Sequence, residues 1–139
     1  MAAPGERSAT TADPALPGIT ELGIDIIKVE RIRASLERFG SRFTQRVLTP
    51  SEQRYVRDRP ETMAGRWAAK EAVSKVLGLG VRGIGWREIE IKRTPYGQPT
   101  VILHGRAEQR RRALGLAEPL TVSISHIRDL AVAVAVGVR

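Results

Sequence analysis

No stretch of this chain restricts its fold more than "GRWAAKEAVSKVLG", residues 65–78. Alanine, leucine, glutamate and lysine are good helix formers, so a long helix is predicted from about Glu61 to Leu77, with Gly78 suited to the left-handed position that stops it. A helix that merely packs needs only a polar outer face, yet Arg66, Lys70, Glu71 and Lys75 are set here among alanines and valines. Glu71 and Lys75 are four residues apart in the order that favours an ion pair. Taken alone, the stretch reads as a helix with a surface salt bridge, and the remainder of the chain has to change that reading.

Ahead of the helix, "ITELGIDII" (19–27) carries β-branched residues and a glycine and reads as a strand ending near Asp25. Val29, Ile32, Leu36, Phe39 and Phe43 then recur at helical spacing, giving an amphipathic helix interrupted at Gly40, with Arg31, Arg38 and Arg42 on its polar side. "TPSE" (49–52) supplies a threonine cap, a proline at the first helical position and a glutamate three residues after the cap, so a short helix starts there and ends near Arg59.

After the long helix, "GLGVRGIG" reads as a glycine loop whose amides can approach a ligand, or equally as a connector. "WREIEIKR" (86–93) alternates as a half-buried strand, with Ile89 and Ile91 on one side and Glu88, Glu90 and Lys92 on the other, and "TVILH" returns as its hairpin partner. "RAEQRRRALG" is a short basic helix. "LTVSISH" and "LAVAVAVGV" close the chain as two strands, the second apolar enough to be buried on both faces. The order of elements predicts an α+β fold, a small antiparallel sheet packed with helices.

With 139 residues the chain suits one domain, expected over 19–139, after an opening rich in Ala, Pro, Thr and Gly that reads as a disordered tail over 1–18. The absence of cysteine excludes disulfides, a thiolate zinc site and thiol catalysis. No apolar run reaches the roughly 20 residues of a membrane span, so a cytoplasmic location is expected. The formal charge is +8, and between Lys28 and Arg59 nine basic residues face four acidic ones. Such a patch attracts an anionic partner, whether nucleic acid, phosphorylated metabolite or acidic protein.

Candidate chemistry comes from separated places. Asp25 stands in an apolar strand, where an ionised carboxylate is costly unless it is paired, hydrogen-bonded or metal-bound. Glu71 supplies a second carboxylate, and two such groups suit Mg²⁺, which fills its other positions with water and substrate phosphates. His126 ends "SISH", with Ser123 and Ser125 together on the other face of the strand. Ser125 and His126 therefore point apart, which argues against a serine hydrolase, and His126 reads as a donor to a phosphate.

"GIDII", "RWAAKEAVSK" followed by a glycine loop, and "SISH" before an alanine-rich apolar strand, in this order and spacing across residues 19–139, resemble holo-acyl carrier protein synthase, of the 4'-phosphopantetheinyl transferase superfamily. The resemblance implies transfer of 4'-phosphopantetheine from coenzyme A to a serine of apo-acyl carrier protein, with release of adenosine 3',5'-bisphosphate, in fatty acid biosynthesis. It implies that Asp25 and Glu71 bind Mg²⁺ at the coenzyme pyrophosphate, that Lys75 and His126 face phosphates, and that Arg66 lies near the nucleotide and its 3'-phosphate. It places Gly80, Gly83 and Ser125 along the coenzyme and matches Arg31 to an arginine that contacts the acidic carrier protein. It further implies a homotrimer with active sites at subunit interfaces, no membrane partner and no nucleic acid. Trp67 stands where such sequences usually have phenylalanine.

The competing class is a basic nucleic-acid-binding module without catalysis. Aromatic residues make up only 4% of the chain, and no strand carries an aromatic pair on which bases could stack.

Overall fold

The computed structural model describes residues 19–78 and 80–139, with the side chains of residues 19, 20, 81 and 82 left aside. The expected tail over 1–18 lies outside the described residues. Strand β1 (Ile19–Lys28) leads directly into helix α1 (Val29–Phe39), followed by α2 (Ser41–Val47), α3 (Pro50–Val56), α4 (Pro60–Leu77) and a single helical turn, α5 (Gly80–Gly83). A 3₁₀ turn (Trp86–Glu88) precedes the hairpin β2 (Ile89–Arg93) and β3 (Pro99–Leu103). Helix α6 (Gly105–Leu114) and strands β4 (Thr121–His126) and β5 (Leu130–Val138) complete the chain.

The strands form an antiparallel three-stranded sheet in the order β1-β5-β4 and a separate β2-β3 hairpin. Ala131, Ala133 and Ala135 of the central strand point at α4 and are fully buried. Their small side chains let the helix, itself alanine-rich along Ala64, Ala68, Ala69 and Ala72, lie close against the sheet. Val132, Val134 and Val136 alternate to the other side and are only half-buried. The expectation that β5 is covered on both faces is therefore corrected, because among the described residues helices cover one face of the sheet only. On the open face, Leu22, Ile24 and Ile26 of β1 are 61%, 56% and 62% exposed.

Local signals decide the breaks. Gly40 (φ 54°) takes a left-handed backbone that ends α1 and redirects the chain into α2. Thr49 and Glu52 form a reciprocal capping box at the start of α3. Glu52 does more than cap. It is fully buried, accepts a hydrogen bond from Lys70 Nζ at 2.7 Å and takes another from the Ile91 amide at 2.9 Å. Lys70 Nζ also donates to the carbonyls of Val47 at 2.8 Å and Trp86 at 3.0 Å. Burial lowers the Lys70 pKa while Glu52 supports its charge, so this charged helical residue is a structural tie between α2, α3, α4 and β2.

Three further expectations change. β1 continues past Asp25 to Lys28, because Ile26 and Ile27 keep alternating between the two faces. "WREIEIKR" begins with a 3₁₀ turn, and the strand starts only at Ile89. Glu90, expected on the outer side, is buried and accepts hydrogen bonds from Thr49 Oγ1 at 2.7 Å and Ser51 Oγ at 3.0 Å, with His104 Nε2 also 3.0 Å away. Its outward face is covered by the start of α3.

Candidate active site

The register across the sheet places the acids. Asp25 lies opposite Ala133, and Ala133 opposite Ile124, so all three face α4. Gly23, one alternation earlier, faces the helix too. A Cβ built there would lie 2.0 Å from the Ala72 carbonyl oxygen and 3.2 Å from Lys75 Cβ. Only glycine lets β1 approach the helix backbone this closely, and that approach sets Asp25 beside Glu71 and Lys75.

Lys75 Nζ donates to the Ile24 carbonyl at 2.7 Å and to Asp25 Oδ1 at 3.4 Å. Lys75 is thus paired with Asp25, and the expected Glu71 to Lys75 surface bridge is replaced. Glu71, one turn earlier, lies close enough to Asp25 that the two carboxylates repel. Burial raises the pKa of Glu71, the Asp25 charge raises it further, and Lys75 opposes both. Burial likewise raises the pKa of Asp25 against the lowering influence of Lys75. Two half-buried oxygen donors that resist ionisation together are suited to a hard divalent cation. Among the described residues no group of three or more His, Cys, Asp or Glu side chains converges, so this pair would leave most of the cation's positions to water and phosphate, as Mg²⁺ prefers.

Arg66 and His126 lie elsewhere. Gly65 packs against Ile124, where an added Cβ would be 3.1 Å from Cγ2, so the first half of α4 crosses β4 while its second half crosses β1. A cleft of about 140 Å³ on the β4 side is lined by Thr62, Arg66, Arg93, Gly97, Ile124 and His126, among others. Ile124 is two strands from Asp25, about 10 Å across the sheet. Within one chain, the carboxylate cluster and the Arg66/His126 cleft therefore sit on opposite flanks of α4. Arg66 is buried, and its Nε has no hydrogen-bond partner. Burial lowers its pKa, countered by its neighbours Tyr55 and Glu52.

Ser125 pairs with Val132 and, beyond it, Ile26. It is exposed on the open apolar face, away from His126. Gly80 and Gly83 bound the turn α5, so the expected loop contains one helical turn. Arg31 is exposed on α1. Elsewhere the chain forms a groove of about 480 Å³ lined by Phe39, Arg42, Phe43, Arg46, Trp67 and Trp86, with Val47. Trp67 stacks on Trp86 with ring centroids 4.1 Å apart and lies 5.8 Å from Phe43. Arg93 and Tyr55, which bracket Arg66, were not singled out from the sequence. Their one signal there was a basic residue closing an alternating strand.

An acid pair flanked by a lysine, and a second cleft built on arginine and histidine, define a protein that handles phosphate groups on an α+β frame. The comparisons agree. The sequence matches the 4'-phosphopantetheinyl transferase superfamily over residues 21–135, and the chain belongs to that family. A holo-[acyl-carrier-protein] synthase from Herpetosiphon aurantiacus is 44% identical over 122 residues, covering 83% of this chain and 95% of that protein. One from Moorella thermoacetica is 49% identical over 118 residues, covering 83% and 91%. Among solved structures, the Helicobacter pylori holo-[acyl-carrier-protein] synthase in complex with coenzyme A has a TM-score of 0.76 at 33% identity, covering 84% of this chain and 98% of that one. The Neisseria meningitidis holo-[acyl-carrier-protein] synthase gives 0.78 at 31%, covering 86% and 98%. The fold is the phosphopantetheinyl transferase fold, and nothing in these relatives supports a nucleic-acid-binding module.

Proposed function

We propose that this chain is a holo-acyl carrier protein synthase, which transfers 4'-phosphopantetheine from coenzyme A to a serine of apo-acyl carrier protein in fatty acid biosynthesis. The observation that carries this reading is the cluster of Asp25, Glu71 and Lys75, built by the close approach of β1 to α4, on a chain so similar to enzymes of that name. In the reaction the serine hydroxyl gives up its proton, which ends in solvent, as its oxygen forms a bond to the phosphorus that carries pantetheine. The bridging P–O bond of the pyrophosphate breaks, and adenosine 3',5'-bisphosphate leaves.

Asp25 and Glu71 would hold Mg²⁺, which when bound stabilises charge on the pyrophosphate oxygens. Lys75, already anchored by the Ile24 carbonyl, adds a fixed positive charge to the same oxygens. Arg66 and His126 would hold the nucleotide end, with Gly80, Gly83 and Ser125 along the coenzyme. Because the two clusters flank α4 on opposite sides, a second subunit would complete each site. The open face bearing Leu22, Ile24 and Ile26 favours such an assembly, in keeping with a homotrimer.

The aromatic groove lined by Arg42 and Arg46, and the exposed Arg31 on the same basic segment, fit an acidic amphipathic helix of the carrier protein. Charge steering there would raise the association rate and weaken with salt. Among the described residues no helix is long and apolar enough to cross a membrane; separately, a reaction on coenzyme A and acyl carrier protein is in keeping with work in the cytoplasm. The test is intact-mass measurement of apo-acyl carrier protein incubated with the protein, coenzyme A and Mg²⁺, with an EDTA control. A metal-dependent gain of one phosphopantetheine is expected. No gain from a folded sample, across several carrier proteins, would overturn the reading.

A further inference from the structure

Asp25 already has a cation beside it. Lys75 Nζ lies 3.4 Å from its Oδ1, and among the described residues no other cation comes within ion-pairing distance of Asp25 or Glu71. Lys75 is also the positive charge that both carboxyls feel. The packing explains its place. With no Cβ on Gly23, the stem of Lys75 lies directly on β1, its own Cβ 3.2 Å from the position a Gly23 Cβ would take. From there the ammonium reaches the Ile24 carbonyl at 2.7 Å.

The two contacts of this ammonium differ in kind. The bond to the carbonyl is short, whereas the one to Asp25, at 3.4 Å, is near the limit of a hydrogen bond. An ammonium has three donors, so Nζ can keep the carbonyl and give the others to a new acceptor without leaving its place. The Lys75 side chain is 51% exposed and that of Asp25 18%, so an arriving anion meets the ammonium first. A divalent cation arriving alone meets the opposite situation. The carboxylate it would bind is held by an ammonium, and two cations within a few ångströms of one oxygen repel strongly where water is partly excluded.

We propose that Lys75 is a positioning residue that occupies Asp25 in the free protein and holds metal affinity low, then turns to the coenzyme pyrophosphate and releases Asp25 to the metal. The identities of metal and ligand rest on the coenzyme reading. Coenzyme and Mg²⁺ thereby favour each other's binding by more than their direct contact supplies, and by linkage the gain is the same whichever binds first.

The test is calorimetric titration of Mg²⁺ into the protein at about 0.15 M salt, first without coenzyme A and then saturated with it. No carrier protein is present, so no group is transferred. Lys75→Met keeps the stem and removes the charge. Without coenzyme it should bind Mg²⁺ about tenfold or more tightly than the wild type, because the repulsion between close charges is gone. Saturation with coenzyme should shrink that difference to within about threefold, which lowers the coupling between coenzyme and Mg²⁺. Lys28→Met removes the same charge roughly 10 Å farther along β1. It should leave Mg²⁺ affinity within about twofold of wild type, which separates a contact from a general change in charge.

Unchanged Mg²⁺ affinity in coenzyme-free Lys75→Met would overturn the proposal and leave the lysine a simple phosphate contact. So would weaker binding, the result expected if Lys75 only supports the fold around the acids, or an equal gain in Lys28→Met. If Lys75→Met does not match the circular dichroism of the wild type, Lys75→Gln decides by the same readings. Failure of wild type and variant alike to take up Mg²⁺, with or without coenzyme, would sink the proposal together with the metal assignment. A protein that shows the switch yet never modifies a carrier protein would keep the proposal and overturn the transferase reading. An active transferase whose Lys75→Met variant gains no Mg²⁺ affinity would do the reverse.

Discussion

Gly23→Ala tests the link between packing and chemistry most directly. The added Cβ would stand 2.0 Å from the Ala72 carbonyl oxygen, and ordinary contact begins at 3.4 Å, so β1 and α4 must part by 1.4 Å at that point. The obstacle is helix backbone and cannot rotate away. Overpacking of this kind costs typically about 1–3 kcal/mol, out of a total stability of about 5–15 kcal/mol for a domain of ordinary size, so the variant should still fold. The same parting draws Asp25, two residues on, away from Glu71 and Lys75. A misplacement of about 1 Å can cost on the order of 100-fold in rate. Urea denaturation should therefore show a loss of about 1–3 kcal/mol, while carrier-protein modification by the fully folded variant falls about 100-fold or more. Stability within about 0.5 kcal/mol of wild type together with near-normal turnover would refute the argument that this glycine builds the site.

Glu71→Gln and Asp25→Asn should each abolish metal-dependent activity. Because burial raises both carboxyl pKa values above the ordinary carboxylate range, their ionisation works against the fold, and the stability available when both are protonated is lost as pH rises through the raised values. The metal-free Glu71→Gln variant should therefore gain on the wild type as pH rises above the ordinary carboxylate range in chemical denaturation; a constant difference would count against the coupled pair. Lys70→Met should cost about 3–5 kcal/mol by leaving the Glu52 charge buried and unpaired, and a loss below about 1 kcal/mol would show that the tie is dispensable. Arg31→Ala should raise the KM for carrier protein more than that for coenzyme A, and by less as salt increases; equal effects on both would end its docking role.

Much of this was legible in the sequence because the signals were local. The Thr49 to Glu52 capping box, the break at Gly40 and the helix stop at Gly78 each follow from residues within a few positions of one another. Asp25 stood out for a related reason, since a carboxylate in an apolar strand demands a partner, whereas Glu71 read alone as half of a surface bridge and was set beside Asp25 by the resemblance. What stayed hidden was pairing over long separations. Lys70 looks like any helical lysine until Glu52 is brought beneath it from another element. Lys75 was matched to Glu71 by spacing, whereas its partner Asp25 lies fifty residues away. The apolar run of β5 could not reveal which face would be left open, because that depends on where the helices pack.

The alternation of β1 has a further consequence for how this chain can vary. Gly23, Asp25 and Ile27 point toward the helix, and Leu22, Ile24 and Ile26 point to the open face. Substitutions at one parity act on the acid cluster, and those at the other parity act on the face through which a second subunit would assemble. A single-residue insertion or deletion before Asp25 enjoys no such separation, because it exchanges the two sets at once. The strand should thus accept on its outer side only replacements that keep an apolar face for a neighbouring subunit, and never a change of length by one.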